Sequence, residues 1–165
     1  MSRPRPTITW IVRYVDDGTL KVRTFQTEEA IRAARHSVHF DVYIWKPGGA
    51  GDSMAELVCR RAREGVKMRI LVDPMGSTGF HEQLYRPLRE AGCEVRYFRP
   101  LKKRPFSLTG RNHRKLVVVD GRVGFTGSQN LIERGYNKPK NHAAGRKYVE
   151  LMVQLSGPVL AALEA

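Results

Sequence analysis

An α/β fold with a mixed, largely parallel sheet flanked by helices is what this sequence predicts, and three observations carry it. Between residues 37 and 98, short β-rich runs alternate with stretches of helical periodicity, an order that folds into parallel strands joined by right-handed crossovers. After residue 110 the pattern changes to two apolar runs joined by Asp120-Gly121, the dipeptide type that best marks a tight hairpin. The chain's 165 residues, 41% of them apolar, suffice for one core, so a single domain over 1–165 is expected, with 1–18 as an N-terminal strand or extension.

Taken in order, "ITWIVRYV" (8–15) alternates as a strand does and runs into the turn-forming "DDGT". Residues 19–36 leave two readings open. Leu20, Thr24, Thr27, Ile31 and Ala34 fall at helical spacing, while "LKVRTF" can extend; a helix is read over Glu28–Arg35. "SVHFDVYIW" (37–45) is a strand closed by the loop "KPGGAG", and Asp52 or Ser53 is expected to cap a helix that buries Met54, Leu57, Val58 and Ala62 and ends at Gly65. A strand at 66–73, the loop "PMGSTG", a helix at 80–91 stopped by Gly92 and a strand at 94–98 follow. Asp73 and the Gly76-Ser77 loop then fall at the carboxyl end of a strand, where such sheets gather ligands, although a purely structural loop explains them equally well. The hairpin follows a basic loop (99–110). A second basic loop leads to the strand "YVELMVQL" (148–155), and Gly157-Pro158 opens "VLAALEA", a short terminal helix or the start of a truncated one.

Charge is distributed unevenly. Of the net +13, residues 99–147 carry +11, from 13 Lys and Arg against Asp120 and Glu133. A basic stretch of this kind favours an anionic partner, nucleic acid or phospholipid headgroups, without separating the two. Cys59 and Cys93 sit in apolar contexts and are expected as reduced core thiols; two cysteines exclude a disulfide framework and a cysteine-only metal site. His81, Glu82 and His142 lack zinc-ligand spacing, and neither metal nor cofactor is expected. The longest uncharged run, Leu151–Leu163, is short of the ~20 residues a spanning helix needs, so a cytoplasmic chain, soluble or peripheral at a membrane, is expected.

The chemistry concentrates in "NHRKLVVVDGRVGFTGSQN" (112–130). Residues two apart on a strand share a face, so His113 and Lys115 project together. The hairpin returns the chain through Gly127, and Ser128 and Asn130 come back beside the start of the first strand. A nucleophile or base, a fixed cation and two neutral donors thus converge, a set suited to a tetrahedral phosphate: Lys115, Ser128 and Asn130 hold oxygens, Gly127 permits close backbone approach, and imidazole attacks phosphorus. Asp120, seven positions from His113 or roughly 20 Å along an extended strand, is expected to build the turn and bond nearby backbone. Glu150, on the strand after the second basic loop, is the better candidate to orient His113; a surface glutamate is the alternative. Trp45, Phe80 and Tyr136 are candidates to contact an acyl chain or a base, with core packing the simpler account.

The pattern His113-x-Lys115-x4-Asp120-x6-Gly127-Ser128-x-Asn130 resembles the HKD motif of the phospholipase D superfamily. "SVHFDVYIW", "RAREGVKMRILVDPMGSTGF", "LREAGCEVRYF" and "YVELMVQLSGPVL" are similar to the first half of bacterial cardiolipin synthases, so that the resemblance covers about residues 28–163. Those enzymes often carry Trp and Asp at the places of Tyr148 and Glu150. The resemblance implies a phospholipase D-like domain with one motif, and a metal-independent phosphodiesterase or phosphatidyltransferase working through a phosphohistidine. It adds Asp120 to the catalytic set, against the geometric reading of that residue. The family mechanism needs two histidines across one phosphate, and no second His-x-Lys exists in the chain. The resemblance therefore also implies either a homodimer, as in single-motif bacterial endonucleases of the family, or a missing second half. Phospholipid and nucleic-acid phosphodiesters, and an inactive binding fragment, stay open as alternatives.

Overall fold

The structure is a computed structural model and describes residues 8–12, 15–16, 19–20, 25–100, 110–132 and 151–164. Most of the first basic loop (101–109), the second basic loop, Tyr136, His142, Tyr148 and Glu150 lie outside the described residues.

Strands β1 (Ile8–Val12), β4 (Ser37–Val42), β5 (Lys67–Val72), β6 (Glu94–Tyr97), β7 (Lys115–Val119), β8 (Val123–Gly127) and β9 (Leu151–Ser156) form one 7-stranded sheet in the order β1-β9-β8-β7-β4-β5-β6. Strands β2 (Val15–Asp16) and β3 (Thr19–Leu20) make a separate two-stranded ladder. The α/β class and the mixed sheet are as expected, but "largely parallel" needs correcting. Only β4-β5 and β5-β6 pair in parallel, and the other four ladders are antiparallel. The cause is the hairpin β7-β8, which docks alongside β4 instead of beyond β6 and puts antiparallel ladders through the middle of the sheet.

Period-2 alternation sorts the side chains into two layers. Val38, Phe40 and Val42 of β4 stand in register with Met68, Ile70 and Val72 of β5 on one side, and with Val119, Val117 and Lys115 of β7 on the other. This layer packs under α1 (Phe25–Ala33), α2 (Gly49–Arg63) and α3 (Arg86–Glu90) and forms the main core, with Ile31, Leu57, Val58 and Leu88 buried from the helices. The opposite layer holds a smaller cluster, Leu116 and Val118 under Leu160 of α4 (Val159–Glu164). Each large side chain removed from water in this way contributes about 1.5–3 kcal/mol.

Several boundaries differ from the sequence reading for local reasons. The strand expected over 37–45 ends at Val42, and Trp45 instead joins the main core, ringed by Phe40 and Phe80 at 5.4 and 5.7 Å, its indole N–H donating to the Gly51 carbonyl at 3.0 Å. Neither Asp52 nor Ser53 caps α2. The helix starts earlier, at Gly49, behind Gly48 at φ 99°, and presses so close to the preceding loop that a Cβ at Gly51 would lie 1.8 Å from the Lys46 carbonyl oxygen. The helix expected over 80–91 opens with a π-helical turn, His81–Tyr85, before α3, and ends as expected at Gly92. No helix among the described residues is long and apolar enough to cross a membrane.

Candidate active site

The hairpin turn is a two-residue reversal. Asp120 and Gly121 both adopt positive φ, 52° and 60°, and Arg122 N–H donates to the Val119 carbonyl at 3.0 Å. This is the primed turn whose twist matches paired strands, and Asp-Gly is suited to it because short polar side chains and glycine tolerate left-handed backbone. The turn sets the register Leu116↔Thr126. It thereby brings the end of β8 back to the start of β7.

At that open end the candidate side chains gather. Lys115 opens β7 with its stem in the core layer, in register with Val42, and only 8% of its surface exposed. Its ammonium donates to the His113 carbonyl at 3.2 Å and lies 3.4 Å from His113 Nδ1. His113 itself precedes the strand and is exposed, yet the β4-β7 ladder carries on past Lys115, because Tyr43 N–H donates to the Arg114 carbonyl at 2.8 Å. Alternation therefore still holds at His113, and its ring meets Lys115 on one face. Tyr43 backs both groups: its ring centroid is 4.4 Å from the imidazole and 5.3 Å from Lys115 Nζ, within cation–π range.

Residues 128–130 are bracketed from two sides. Gly127 ends β8 opposite Met152 of β9, and Leu131 bridges to Trp45, its N–H donating to Ile44 at 3.0 Å and its carbonyl accepting from Lys46 N–H at 2.9 Å. The Ser128-Gln129-Asn130 turn is thus strung across the same end of β4 that Tyr43 leaves. Asn130 Oδ1 is buried there with no hydrogen-bond partner among the described residues.

Asp120 is elsewhere. Its carboxylate accepts from the backbone N–H groups of Arg35, His36 and Ser37 at 2.8, 2.7 and 2.8 Å, at the opposite end of β7 from His113. Burial pushes its pKa up, but the three amide bonds outweigh this and hold it below the usual aspartate value. These contacts agree with the geometric reading of Asp120 as a turn residue that bonds nearby backbone, and they fasten the hairpin tip.

Sequence reasoning missed four residues around His113. Asn112 Nδ2 and Arg114 both donate to the Asp41 carboxylate, Arg114 at 3.4 Å. Arg111 Nε and Asn112 N–H both donate to Asp73 Oδ2, at 3.1 and 3.2 Å. Tyr43 is the fourth, after Arg111, Asn112 and Asp41. The sequence held one signal for them, in that Arg111 and Asn112 immediately precede the motif. Trp45 and Phe80 are fully buried and belong to the core. Burial pushes the Cys93 thiol up to about 12 and raises that of Cys59, so both behave as inert core groups. Among the described residues no three His, Cys, Asp or Glu side chains gather as metal ligands.

A mixed sheet whose hairpin delivers a histidine, a lysine and a Gly-Ser-x-Asn turn to one end defines a phospholipase D-like domain. The fold agrees with the phospholipase D family member Nuc of Salmonella typhimurium (TM-score 0.61, 20% identity, 96% of this chain and 90% of that one) and with NucT of Helicobacter pylori (TM-score 0.62, 16% identity, 97% and 91%). The family model "Cardiolipin synthase, PLD-like domain" matches residues 28–161, and the chain belongs to that family. Cardiolipin synthase A of Shigella dysenteriae is 34% identical over 140 residues, and the major cardiolipin synthase of Bacillus subtilis 36% identical over 122. The chain spans only 28% and 25% of those relatives' lengths, while 81% and 73% of the chain is matched.

Proposed function

We propose that this domain supplies half of a phosphodiester-transferring active site of the cardiolipin-synthase type, with phosphatidylglycerol as the substrate class and a phosphohistidine as the intermediate. The observation that carries the reading is the pairing of an exposed His113 with a buried-stem Lys115 beside the 128–130 turn, in a chain whose family is that of the cardiolipin synthases.

In the proposed first step a ring nitrogen of His113 bonds to phosphorus and the bond from phosphorus to the leaving alkoxide oxygen breaks. That oxygen takes its proton from a second histidine, contributed by another copy of the domain or by a second half of a longer chain. In the second step an acceptor hydroxyl attacks phosphorus, its proton returns to the second histidine, and the nitrogen–phosphorus bond breaks to regenerate His113. Lys115, Ser128 and Asn130 hold the non-bridging oxygens as charge develops, each donor contributing about 10²-fold in rate or more. In the proposed first step Nε2 attacks, with the Lys115 ammonium turned from its resting place beside Nδ1 to a phosphate oxygen. Nδ1 then carries the ring proton, and accepting from it is the role proposed for Glu150. No step requires a metal ion.

Transfer to a second phosphatidylglycerol gives the synthase reaction, and transfer to water gives hydrolysis. The +11 charge of residues 99–147 supports a second reading, a nuclease acting on DNA or RNA.

The test pairs two assays in EDTA, with His113→Ala as control: headgroup exchange on phosphatidylglycerol vesicles, and nicking of supercoiled plasmid. Exchange without nicking supports the lipid reading, and nicking without exchange the nuclease. Activity in neither assay, for wild-type protein alone or mixed with a second-half domain, would sink both and leave a binding module.

A further inference from the structure

The loop after β5, Asp73 to Ser77, lies where a ligand-lining loop is expected, yet its polar groups are turned inward. Asp73 has no exposed surface. Its Oδ1 accepts from Met75 N–H at 2.8 Å, and its Oδ2 accepts from Arg111 Nε and Asn112 N–H at 3.1 and 3.2 Å. Arg111, 12% exposed, turns Nη2 to the carbonyls of Phe98 and Arg99, 3.4 and 3.3 Å away, so the guanidinium ties the ends of β5 and β6 to the segment that runs into His113. The rest of the loop grips Tyr43. A Cβ at Gly76 would lie 2.2 Å from the Tyr43 carbonyl oxygen, and Ser77 Oγ donates to that oxygen at 3.0 Å while accepting from Trp45 N–H at 3.0 Å. Ser77 N–H in turn donates to the Asp73 carbonyl at 3.1 Å.

We propose that Asp73 is the positioning residue of this site: through Arg111 and Asn112 it fixes the backbone that ends in His113, and through its own loop it fixes Tyr43, the ring on which the imidazole rests. The inference rests on the proposed role of His113 and extends it to a residue that touches neither substrate nor reacting atoms. A carboxylate is the group this position requires, because three donors converge on its two oxygens and none of them can accept. Asparagine in the same place satisfies one oxygen's partners and sets its own N–H2 against the other's. The burial of the pair matters as well: displacing either member leaves the other desolvated, so the arrangement holds one geometry in preference to several.

The experiment compares the full chain with Asp73→Asn and Arg111→Lys. Arg111→Lys is the gentler variant, keeping a cation for Asp73 while losing the fork that reaches Phe98 and Arg99. Two readouts are taken on protein shown by thermal melting and by β4-β5 core methyl contacts to be folded: the NMR contact between the Tyr43 and His113 rings, and kcat and KM in whichever assay above shows turnover. Positioning predicts a weakened ring contact in both variants, a kcat at least 10-fold lower and a KM within about 2-fold of wild type. A folded variant with the wild-type ring contact and wild-type kcat would overturn the proposal. Should Asp73→Asn fail to fold, Arg111→Lys decides alone. If wild-type protein turns over neither substrate, the function reading falls, while the ring contact still decides the positioning of His113.

Discussion

The hairpin β7-β8 has two ends built on opposite principles. At the turn, Asp120 is saturated: three amides fill its carboxylate, its backbone N–H donates to Ser37, and the reversal closes on itself. At the open end, His113 is exposed and Asn130 keeps a buried oxygen without a partner among the described residues. One end has its carboxylate bonded within the chain, and the other presents an exposed imidazole. The difference teaches that a motif's residues need not share a place: His113 and Asp120, grouped in one sequence signature, stand at opposite ends of one strand, the first exposed beside Lys115 and the second bonded to the backbone that fastens the hairpin tip.

The contrast can be broken hardest at the open end. His113→Ala is expected to remove turnover by ~10³-fold or more while leaving the melting temperature within a few degrees of wild type, since the exposed ring adds little burial. Activity and a thermal melt on one preparation check this, and a large loss of stability would contradict the division of labour. Ser128→Ala and Asn130→Ala should each lower kcat about 10²-fold, read in single-turnover kinetics. A fully active variant removes that residue from the site.

Smaller effects are expected at the turn, and on stability. Asp120→Asn keeps a side chain that tolerates left-handed backbone but loses the charge, and should cost roughly 1–3 kcal/mol with kcat per folded molecule unchanged. Because Asp120 is held below its ordinary value, its contribution is fully present above the unfolded pKa near 3.9 and disappears as pH falls through the folded one. Urea unfolding should therefore separate wild type from Asp120→Asn at pH 7 and bring them together as the pH falls below the unfolded value. Smallest is Gly121→Ala: with φ at 60° a Cβ costs about 1–2 kcal/mol, measurable as a shift in the urea midpoint alone.

Much of this arrangement was legible in the chain because it is local. Two-residue alternation and the Asp-Gly reversal bring His113, Lys115, Gly127, Ser128 and Asn130 to one strand end whatever the hairpin packs against. What was not legible depends on strand neighbours. The insertion of β7 beside β4 decides that Tyr43 faces His113, that Asp41 reaches Asn112 and Arg114, and that Asp73 meets Arg111 across 38 positions of sequence. The same insertion makes the central ladders antiparallel. Helix α2 shows a third case, in which close approach of Gly51 to the Lys46 carbonyl, a packing fact, overrode the local preference of Asp52 and Ser53 for a cap. Glu150 lies outside the described residues, and its part stays with the proposal.

The Asp120-Gly121 reversal has a consequence for how the domain assembles in time. A hairpin of this length closes in about 1–10 μs, whereas the ladder joining Val38 to Val119 spans 81 positions and waits on the closure of a long loop. Lys115 and the 128–130 turn can therefore meet before the sheet exists, and the ready-made hairpin then docks on β4, where Asp120 latches onto Arg35–Ser37. Folding φ-values are expected to be higher at Val118 and Phe125 than at Met68 and Val95. On that order of events, part of the candidate site is older, within each folding molecule, than the fold that holds it.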